Sequence, residues 1–484
     1  MKCATLNVEK IYITYNIRKC RILSGSTAAQ PQENKLGTMP VRRLVGSMAL
    51  PLIISNLVQA LYNIVDSIFV AQINENATKA VSLAFPIQML IIAFAVGTGV
   101  GMSSLMSRKL GEKNFKDAGI AANQGFFLAF CSSLMFVIFG IFFTDMFFKS
   151  NTSNAEILSM GIPYLQICCT CSIGVFIQIN CERILQGTGA ALTSMIMQLI
   201  GAVTNIILDP ILIFGWFGLP AMGVAGAAIA TVIGQCTAAL VSVIVIIKKT
   251  KEVKISLRQM KPNGAMILTI YKVGFPSIIM QALNSFIIMA VNALLMPISE
   301  LSVWILGVYF KVQSFVFMPV FGLNNGVIPI VAYNYGARRK SRIKETLRFA
   351  LFIALTVMAI GTLLFWVFPE LLLSLFNPEP ATVTAACSAF RIISISFVFS
   401  GVAIVCSGVF QALGRGFSSL LISSIRQAIV LLPMLILLLN LLGPAYVWYA
   451  YAAAELVACI LSIFIMRSTY KKLIAVMPDD IQTA

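Results

Sequence analysis

Twelve runs of predominantly apolar residues, each long enough to cross a bilayer, dominate this sequence. They lie near 43–71, 80–106, 119–148, 155–181, 190–215, 222–248, 266–297, 302–333, 346–376, 381–411, 417–442 and 445–467. A hydrocarbon core of about 30 Å takes about 20 apolar residues as a helix. With no water at that depth, the backbone must satisfy its own polar groups, so such runs are helical. Turn-forming clusters separate them, including Asn74-Glu75-Asn76, Asn151 to Asn154, Asn377 to Pro380 and Gly443-Pro444. Charged residues make up 11% of the chain, where a soluble domain carries about a quarter, which excludes a water-soluble enzyme. The expected fold is an all-α membrane protein with 12 transmembrane helices.

The 35 Lys and Arg against 18 Asp and Glu leave a net charge of +17. A nucleic-acid partner would need a basic soluble face, and the apolar runs leave no room for one. Instead, the cations fall in alternate loops. One set holds Arg108, Lys109, Lys113 and Lys116, then Arg183, then Lys248 to Lys261, then Arg338 to Lys344, then Arg415, and finally Arg467, Lys471 and Lys472. The opposite set holds Lys79 and Lys149. Positively charged loops stay cytoplasmic, so both termini are expected in the cytoplasm of a bacterial inner-membrane protein. The expected division is a disordered tail over 1–38, a first lobe over 39–249, a linker over 250–263, a second lobe over 264–470 and a tail over 471–484. The first 38 residues lack the apolar core of a secretory signal. Histidine is absent, which removes His-based catalysis and His-ligated metals. Cys168-Cys169-Thr170-Cys171 contains a C-x-x-C, but inside an apolar run with no second pair it reads as packing.

Sliding the chain by 225 residues aligns Pro51 with Pro276, Phe85 with Phe310, Gln88 with Gln313, Gly97 with Gly322, Gly101 with Gly326, Gly111 with Gly336 and Gly189 with Gly414. An even number of helices per half means that both halves enter the membrane in one orientation. The prediction is two parallel six-helix repeats around a central cleft.

The halves differ in their acids. Asp66 and Asp209 sit inside apolar runs, whereas their repeat partners are Val291 and Met434. Asn56, Gln59, Asn63 and Asp66 follow steps of three and four and share one helical face, near Tyr62. Asn205 and Asp209 lie one turn apart, as do Thr231 and Gln235. An intramembrane carboxylate costs at least about 2.5–3.5 kcal/mol on insertion and is a functional candidate by default. Such a pair can exchange a proton, or bind Na⁺ together with Asn and Thr oxygens. Other polar positions carry less. Glu182 and Arg183 suit a cap or a gate salt bridge. Lys311 either snorkels or lines the cleft, Arg391 snorkels, and Glu455 is a lone acid of the second half. Gln281, Asn284 and Asn292 form a mild polar face suited to lining the cleft.

Residues 51–66 (PLIISNLVQALYNIVD), Ser107 to Gly111, Arg183 to Gly189 (RILQGTG), Asn205 to Pro210 and Tyr333 to Ala337 resemble the MATE (multidrug and toxic compound extrusion) transporters. The resemblance spans about 35–472. It implies an antiporter, coupled to H⁺ or Na⁺, that exports cationic amphipathic compounds and needs no other cofactor. On the family pattern, Asp66, Asn205, Asp209 and Thr231 match the cation site. Gln59, Tyr62 and Asn63 match cavity positions, and Pro51 matches a proline where the first helix is proposed to bend. The branch with extra acids in helices 7 and 10 is not matched, which places the chain nearer the DinF-like, MepA-type bacterial branch. The expected protein is a monomer that meets drugs and membrane lipid. A flippase for lipid-linked sugars, from the same wider superfamily, is the alternative, although it calls for a strongly basic cleft. A lipid-modifying membrane enzyme is disfavoured, because no G-x-S-x-G or D-D-x-x-D is present.

Overall fold

The computed structural model describes residues 34–250, 252–256, 260–374, 376 and 380–478. The chain begins with a single helical turn, α1 (Lys35–Thr38), and six crossings follow. These are α2 (Val41–Ala71), α3 (Glu75–Gly111), α4 (Phe115–Phe142) with the short α5 (Thr144–Asn151) behind it, the broken pair α6 (Ala155–Thr170) and α7 (Ile173–Gly187), α8 (Ala191–Phe214) and α9 (Gly223–Lys249). The second set comprises α10 (Gly264–Leu295), α11 (Glu300–Gly336), α12 (Lys340–Val367), the short α13 (Pro369–Ser374), and α14 (Pro380–Ser394) with α15 (Ser396–Ala412). It ends with α16 (Gly416–Ser424) and α17 (Leu432–Leu442), joined by a π segment over Ile425–Leu431, and α18 (Trp448–Thr469), which runs on as π helix to Ile474.

Among the described residues, eleven helical spans are long and apolar enough to cross a membrane, and the bent α6–α7 pair makes a twelfth. Several helix bounds repeat at the sequence offset. Glu75–Gly111 answers Glu300–Gly336, and Phe115–Phe142 answers Lys340–Val367. Local signals start these helices. Asn74 caps α3 by accepting from Ala77 N at 2.7 Å, and Asn114 caps α4 by accepting from Asp117 N at 3.0 Å. The left-handed turns repeat as well: Lys113 and Arg338 have φ of 57° and 56°, while Gly189 and Gly414 have 89° and 77°.

The fourth crossing differs from a straight span over 155–181. It bends by 46° at Cys171-Ser172. Neither residue is proline. At the break, the Thr170 hydroxyl bonds back to the Gln166 carbonyl at 2.6 Å, one local contribution to the bend beside the packing around it. The neighbouring Cys168, Cys169 and Cys171 are free thiols.

Two expected boundaries shift. A disordered tail over 1–38 does not hold for its last residues: Lys35–Thr38 are helical and Leu36 is fully buried. Residues 1–33 of that tail lie outside the described residues. At the other end, the last crossing continues past 470 to a buried Ile474.

The repeats meet through backbone-to-backbone approaches that glycine allows. A side chain at Gly101 would strike the Ile270 carbonyl and Gly274, and one at Gly111 would strike the Tyr333 carbonyl. A side chain at Gly322 would meet Ile53, and one at Gly326 would meet Met48 and Ala49. So α3 packs against α10, and α2 against α11, across the repeat boundary. Among the described residues, the hydrogen bonds that cross this boundary run from mid-helix to one end. Ser104 Oγ donates to the Gln411 carbonyl at 2.8 Å, and Arg183 Nη1 to Asn325 Oδ1 at 3.2 Å. The crossing farthest from that end is a weak one, from Asn56 Nδ2 to the Met318 carbonyl at 3.5 Å. The shared end carries Arg108, Lys109, Lys248, Lys249 and Arg338, so it is termed the basic end. Beyond mid-helix, toward the far end, no hydrogen bond joins the repeats among the described residues, and the expected cleft falls in that half.

Candidate functional site in the first repeat

The polar residues of α2, α8 and α9 converge in the half of the first repeat away from the basic end. Asp66 and Asp209 each lie five residues before the far end of their helices. At 1.5 Å of rise per residue, that is about 8 Å inside. Small residues bring α8 and α9 together. A Cβ on Gly234 would press on the Gly201 carbonyl and Asn205, and a Cβ on Gly226 would press on the Leu212 carbonyl. This approach lets Asn205 Nδ2 reach both Asp209 Oδ1 and Thr231 Oγ1, each at 3.2 Å. Pro210 follows Asp209 within the helix and has no N–H to offer the Ile206 carbonyl.

Asp209 is fully buried and Asn205 is 3% exposed. Asp209 Oδ2, Asn205 Oδ1 and Asp66 Oδ1 are buried with no hydrogen-bond partner. The charge of Asp66 is felt at Asp209, and Tyr62 lies within electrostatic range of both. Three acceptor atoms on α2 and α8 are thus buried without a donor, an arrangement that a proton or a cation completes. Groups of three or more His, Cys, Asp or Glu that would hold a transition metal are absent among the described residues. A hard monovalent cation needs no such group, since carboxylate, amide and hydroxyl oxygens suit it.

On the cleft side of α2, Gln59 Nε2 donates to the Tyr62 hydroxyl at 3.3 Å. Gln198 of α8 donates to Gln59, and Ser55 donates to Gln198. These bonds tie α2 to α8 along the approach to Asp66. On another side, Gln88 Nε2 donates to the Tyr164 hydroxyl at 3.0 Å, and Tyr164 lies within range of Asp66 and Tyr62. Gln198, Ser55, Gln88 and Tyr164 are absent from the sequence candidates. Gln198 had a signal, standing seven residues, or two turns, before Asn205 on the same face. Gln88 had only its repeat match to Gln313 and Tyr164 had no signal, since they reach the site through the packing of α3 and α6.

The remaining candidates separate. Pro51 is buried inside an unbroken α2. Asn63 is exposed, Gln281 is half-buried and Asn284 is exposed, and none of these side chains bonds to the carboxylate cluster. Lys311 extends its ammonium over the Phe376 ring at 5.8 Å, a cation–π contact remote from the pair. Glu182 accepts from Gln178 at 3.0 Å, and Arg183 turns instead to Gln186 and Asn325, so no Glu182–Arg183 salt bridge forms. Arg391 does not extend freely. It exchanges hydrogen bonds with the backbone and indole of Trp366, at 3.3 and 3.0 Å.

The second repeat has its own buried acid. Arg426 Nη1 pairs with Glu455 Oε1 at 2.9 Å, between the π segment and α18. Their repeat partners are Gly201 and Ala230, beside the Asn205 and Thr231 of the first repeat. The second repeat thus pairs its acid with an arginine through one oxygen and leaves Glu455 Oε2 without a donor, whereas the carboxylates of the first repeat have no cation beside them.

Comparison with known proteins agrees with this architecture. The family model described as MatE matches residues 51–211 and 276–437, two blocks that begin 225 residues apart at Pro51 and Pro276. Among curated proteins, the Multidrug export protein MepA of Staphylococcus haemolyticus (strain JCSC1435) is 28% identical over 426 residues, covering 88% of this chain and 93% of its own. The Multidrug export protein MepA of Staphylococcus aureus (strain MRSA252) is 26% identical over 432 residues, covering 88% and 94%. Among solved structures, the outward-facing conformation of a multidrug resistance MATE family transporter of the MOP superfamily superimposes with a TM-score of 0.85 at 25% identity, covering 91% of this chain and 98% of that one. A crystal structure of MATE in complex with MaL6 shares the fold, with a TM-score of 0.86 at 24% identity over 92% and 99%. A two-block family match over most of the chain, laid on twelve apolar helices in two repeats, identifies this multi-pass membrane protein as a member of the MATE family, a transporter and not an enzyme.

Proposed function

We propose that the protein exports cationic, amphipathic drugs in exchange for H⁺ or Na⁺, alternating between cleft-out and cleft-in states. The observation that carries this reading is the pair Asp66 and Asp209, whose buried oxygens lack donors in the half where no hydrogen bond joins the repeats among the described residues. The relatives named as multidrug export proteins support the substrate class. The basic loops support an orientation with both termini in the cytoplasm of a bacterial inner membrane. The working unit is a monomer, and no cofactor beyond the coupling ion is required.

The chemistry follows from charge. A proton or Na⁺ arriving from outside cancels one negative charge of the pair, and a membrane potential favours its entry by about 2.3 kcal/mol per 100 mV. A cationic drug held near the same carboxylates loses its counter-charge when they are neutralised. Drug and coupling ion therefore oppose each other's binding, the reciprocal linkage that exchange requires. Ser55 donates to Gln198 and Gln198 to Gln59, which hold α2 against α8, so a change at Asp209 on α8 is passed to α2, where buried Pro51 is the position at which the helix would bend. The Na⁺ reading assigns Asp66, Asn205, Asp209 and Thr231 as ligands.

The test is efflux of an ethidium-type dye from vesicles under separately imposed H⁺ and Na⁺ gradients. Asp66→Asn and Asp209→Asn are each expected to reduce gradient-driven efflux to background, whichever ion drives it. Unchanged transport in Asp66→Asn would sink the assignment.

A further inference from the structure

The short segment before the first membrane helix touches both repeats at the basic end. On the side of the first repeat, Asn34 Nδ2 donates to Glu252 Oε2 at 2.8 Å and Oε1 at 3.0 Å, and to the Thr188 carbonyl at 3.0 Å. Asn34 Oδ1 accepts from Leu36 N at 2.9 Å, which sets the turn of α1. On the side of the second repeat, Arg342 Nη2 donates to the Met39 carbonyl at 2.7 Å and the Leu36 carbonyl at 3.2 Å. Asn334 Nδ2 also donates to the Leu36 carbonyl, at 3.1 Å, and Arg339 Nη1 donates to the Gly37 carbonyl at 2.5 Å. Leu36 is fully buried, and Gly37 lies so close to Tyr333 that a Cβ there would strike its ring.

Two features make this more than packing. The partners of the segment lie on elements that must separate if the basic end is to open: the turn after α7 and the linker on one side, the α11–α12 turn on the other. In addition, Arg342, Arg339 and Asn334 bond to backbone carbonyls, so they read the helical shape of the turn and would let go if it unwound.

We infer that residues 34–39 form a strap that latches the two repeats together at the basic end, and that alternating access requires its release. The inference rests on the alternating-access reading above. It assigns to Asn34, Arg339 and Arg342 a positioning role, with no contact to drug or coupling ion. The strap continues through Pro40 into α2, so the bonds from Asn334, Arg339 and Arg342 latch the second repeat to the first directly, while Asn34 shapes and anchors the turn that they hold. Both sets act on one turn, so loosening Asn34 as well adds little to loosening the arginines.

Hydrogen–deuterium exchange of the full-length protein in lipid nanodiscs tests this without any transported compound. Its failure is therefore distinguishable from failure of the drug-export reading. Asn34→Ala, and separately the double variant Arg339→Ala/Arg342→Ala, are each expected to speed exchange about threefold to tenfold in peptides covering 41–52 and 322–333. That is the range the loss of one hydrogen bond commands. Peptides covering 198–209 serve as the control for intact folding and stay unchanged. The triple variant is expected to match the faster of the two. Exchange unchanged at 41–52 and 322–333 overturns the strap. So does an additive rise in the triple variant, which marks independent packing contacts. Glu252→Gln, which keeps an oxygen acceptor for Asn34, is expected to stay near the parent, and Glu252→Leu to follow Asn34→Ala.

Discussion

Asp209 has no exposed surface, and one of its oxygens has no donor. A buried polar atom left unpaired costs about 1–3 kcal/mol, and more when charged, so the site holds that cost until a proton or cation arrives. The face carrying Asn56, Gln59, Asn63 and Asp66 was legible in the sequence, because residues three and four apart must share a helix face. Gln198 shows what was not legible. Its value lies in reaching Gln59 on another helix, and no spacing rule reports a contact between helices. Gln198→Leu removes that bond and leaves the Gln59 carbonyl without its donor. Dye efflux is expected to fall severalfold with the coupling-ion preference unchanged, as measured in the same vesicles. The Arg426–Glu455 pair lends itself to a stability measurement. Its side chains are 24% and 16% exposed, so removing one partner strands a mostly buried charge. Arg426→Met is expected to destabilise by about 3 kcal/mol in thermal unfolding, and the added change Glu455→Leu is expected to recover most of it. An Arg426→Met protein as stable as the parent would show that the pair carries no structural weight.

At the scale of the helix, the apolar runs and the 225-residue offset announced the crossings, because length and period are local properties. The 46° break in the fourth crossing was not announced, since no proline stands at Cys171-Ser172. Thr170 back-bonds to the ladder, but threonine does this in many helices that stay straight, and the outcome depends on what packs around it. The glycines of α3 carry a clearer message. Gly97 and Gly101 set the approach of α3 to α10 at Ile278, Gly274 and Ile270, where no side chain fits. Gly101→Leu is expected to hold the basic end ajar and cut transport at least about tenfold. An interhelical contact of a few kcal/mol lost in one state is worth that factor. Dye efflux and expression level, read together, check it. A fully active Gly101→Leu would mean that the two backbones need not meet during the cycle.

Across the whole molecule, the hydrogen bonds and glycine contacts between repeats run from mid-helix to the basic end, which is closed. With the basic end cytoplasmic, as proposed, a cysteine at exposed Asn63 is expected to react with a membrane-impermeant maleimide added outside intact cells, above the background of the native thiols. A cysteine at Ala49, which is 5% exposed beside Gly326, is expected to stay unreacted. Equal labelling of both positions would contradict this state.

The sequence by itself determined the membrane setting, the number of crossings, the two-fold repeat and the carboxylates worth attention. Hydrophobic length, charge sorting and helical spacing act along the chain, and each is written in neighbouring residues. Tertiary structure alone decided which acids are buried with oxygens lacking donors and which acid pairs with an arginine. It also decided that α3 and α2 reach across to α10 and α11, and that six residues before the first crossing bridge both repeats. Those outcomes depend on how far apart helices come to rest. That separation is set by the summed packing of side chains distant in sequence, and no local pattern encodes it.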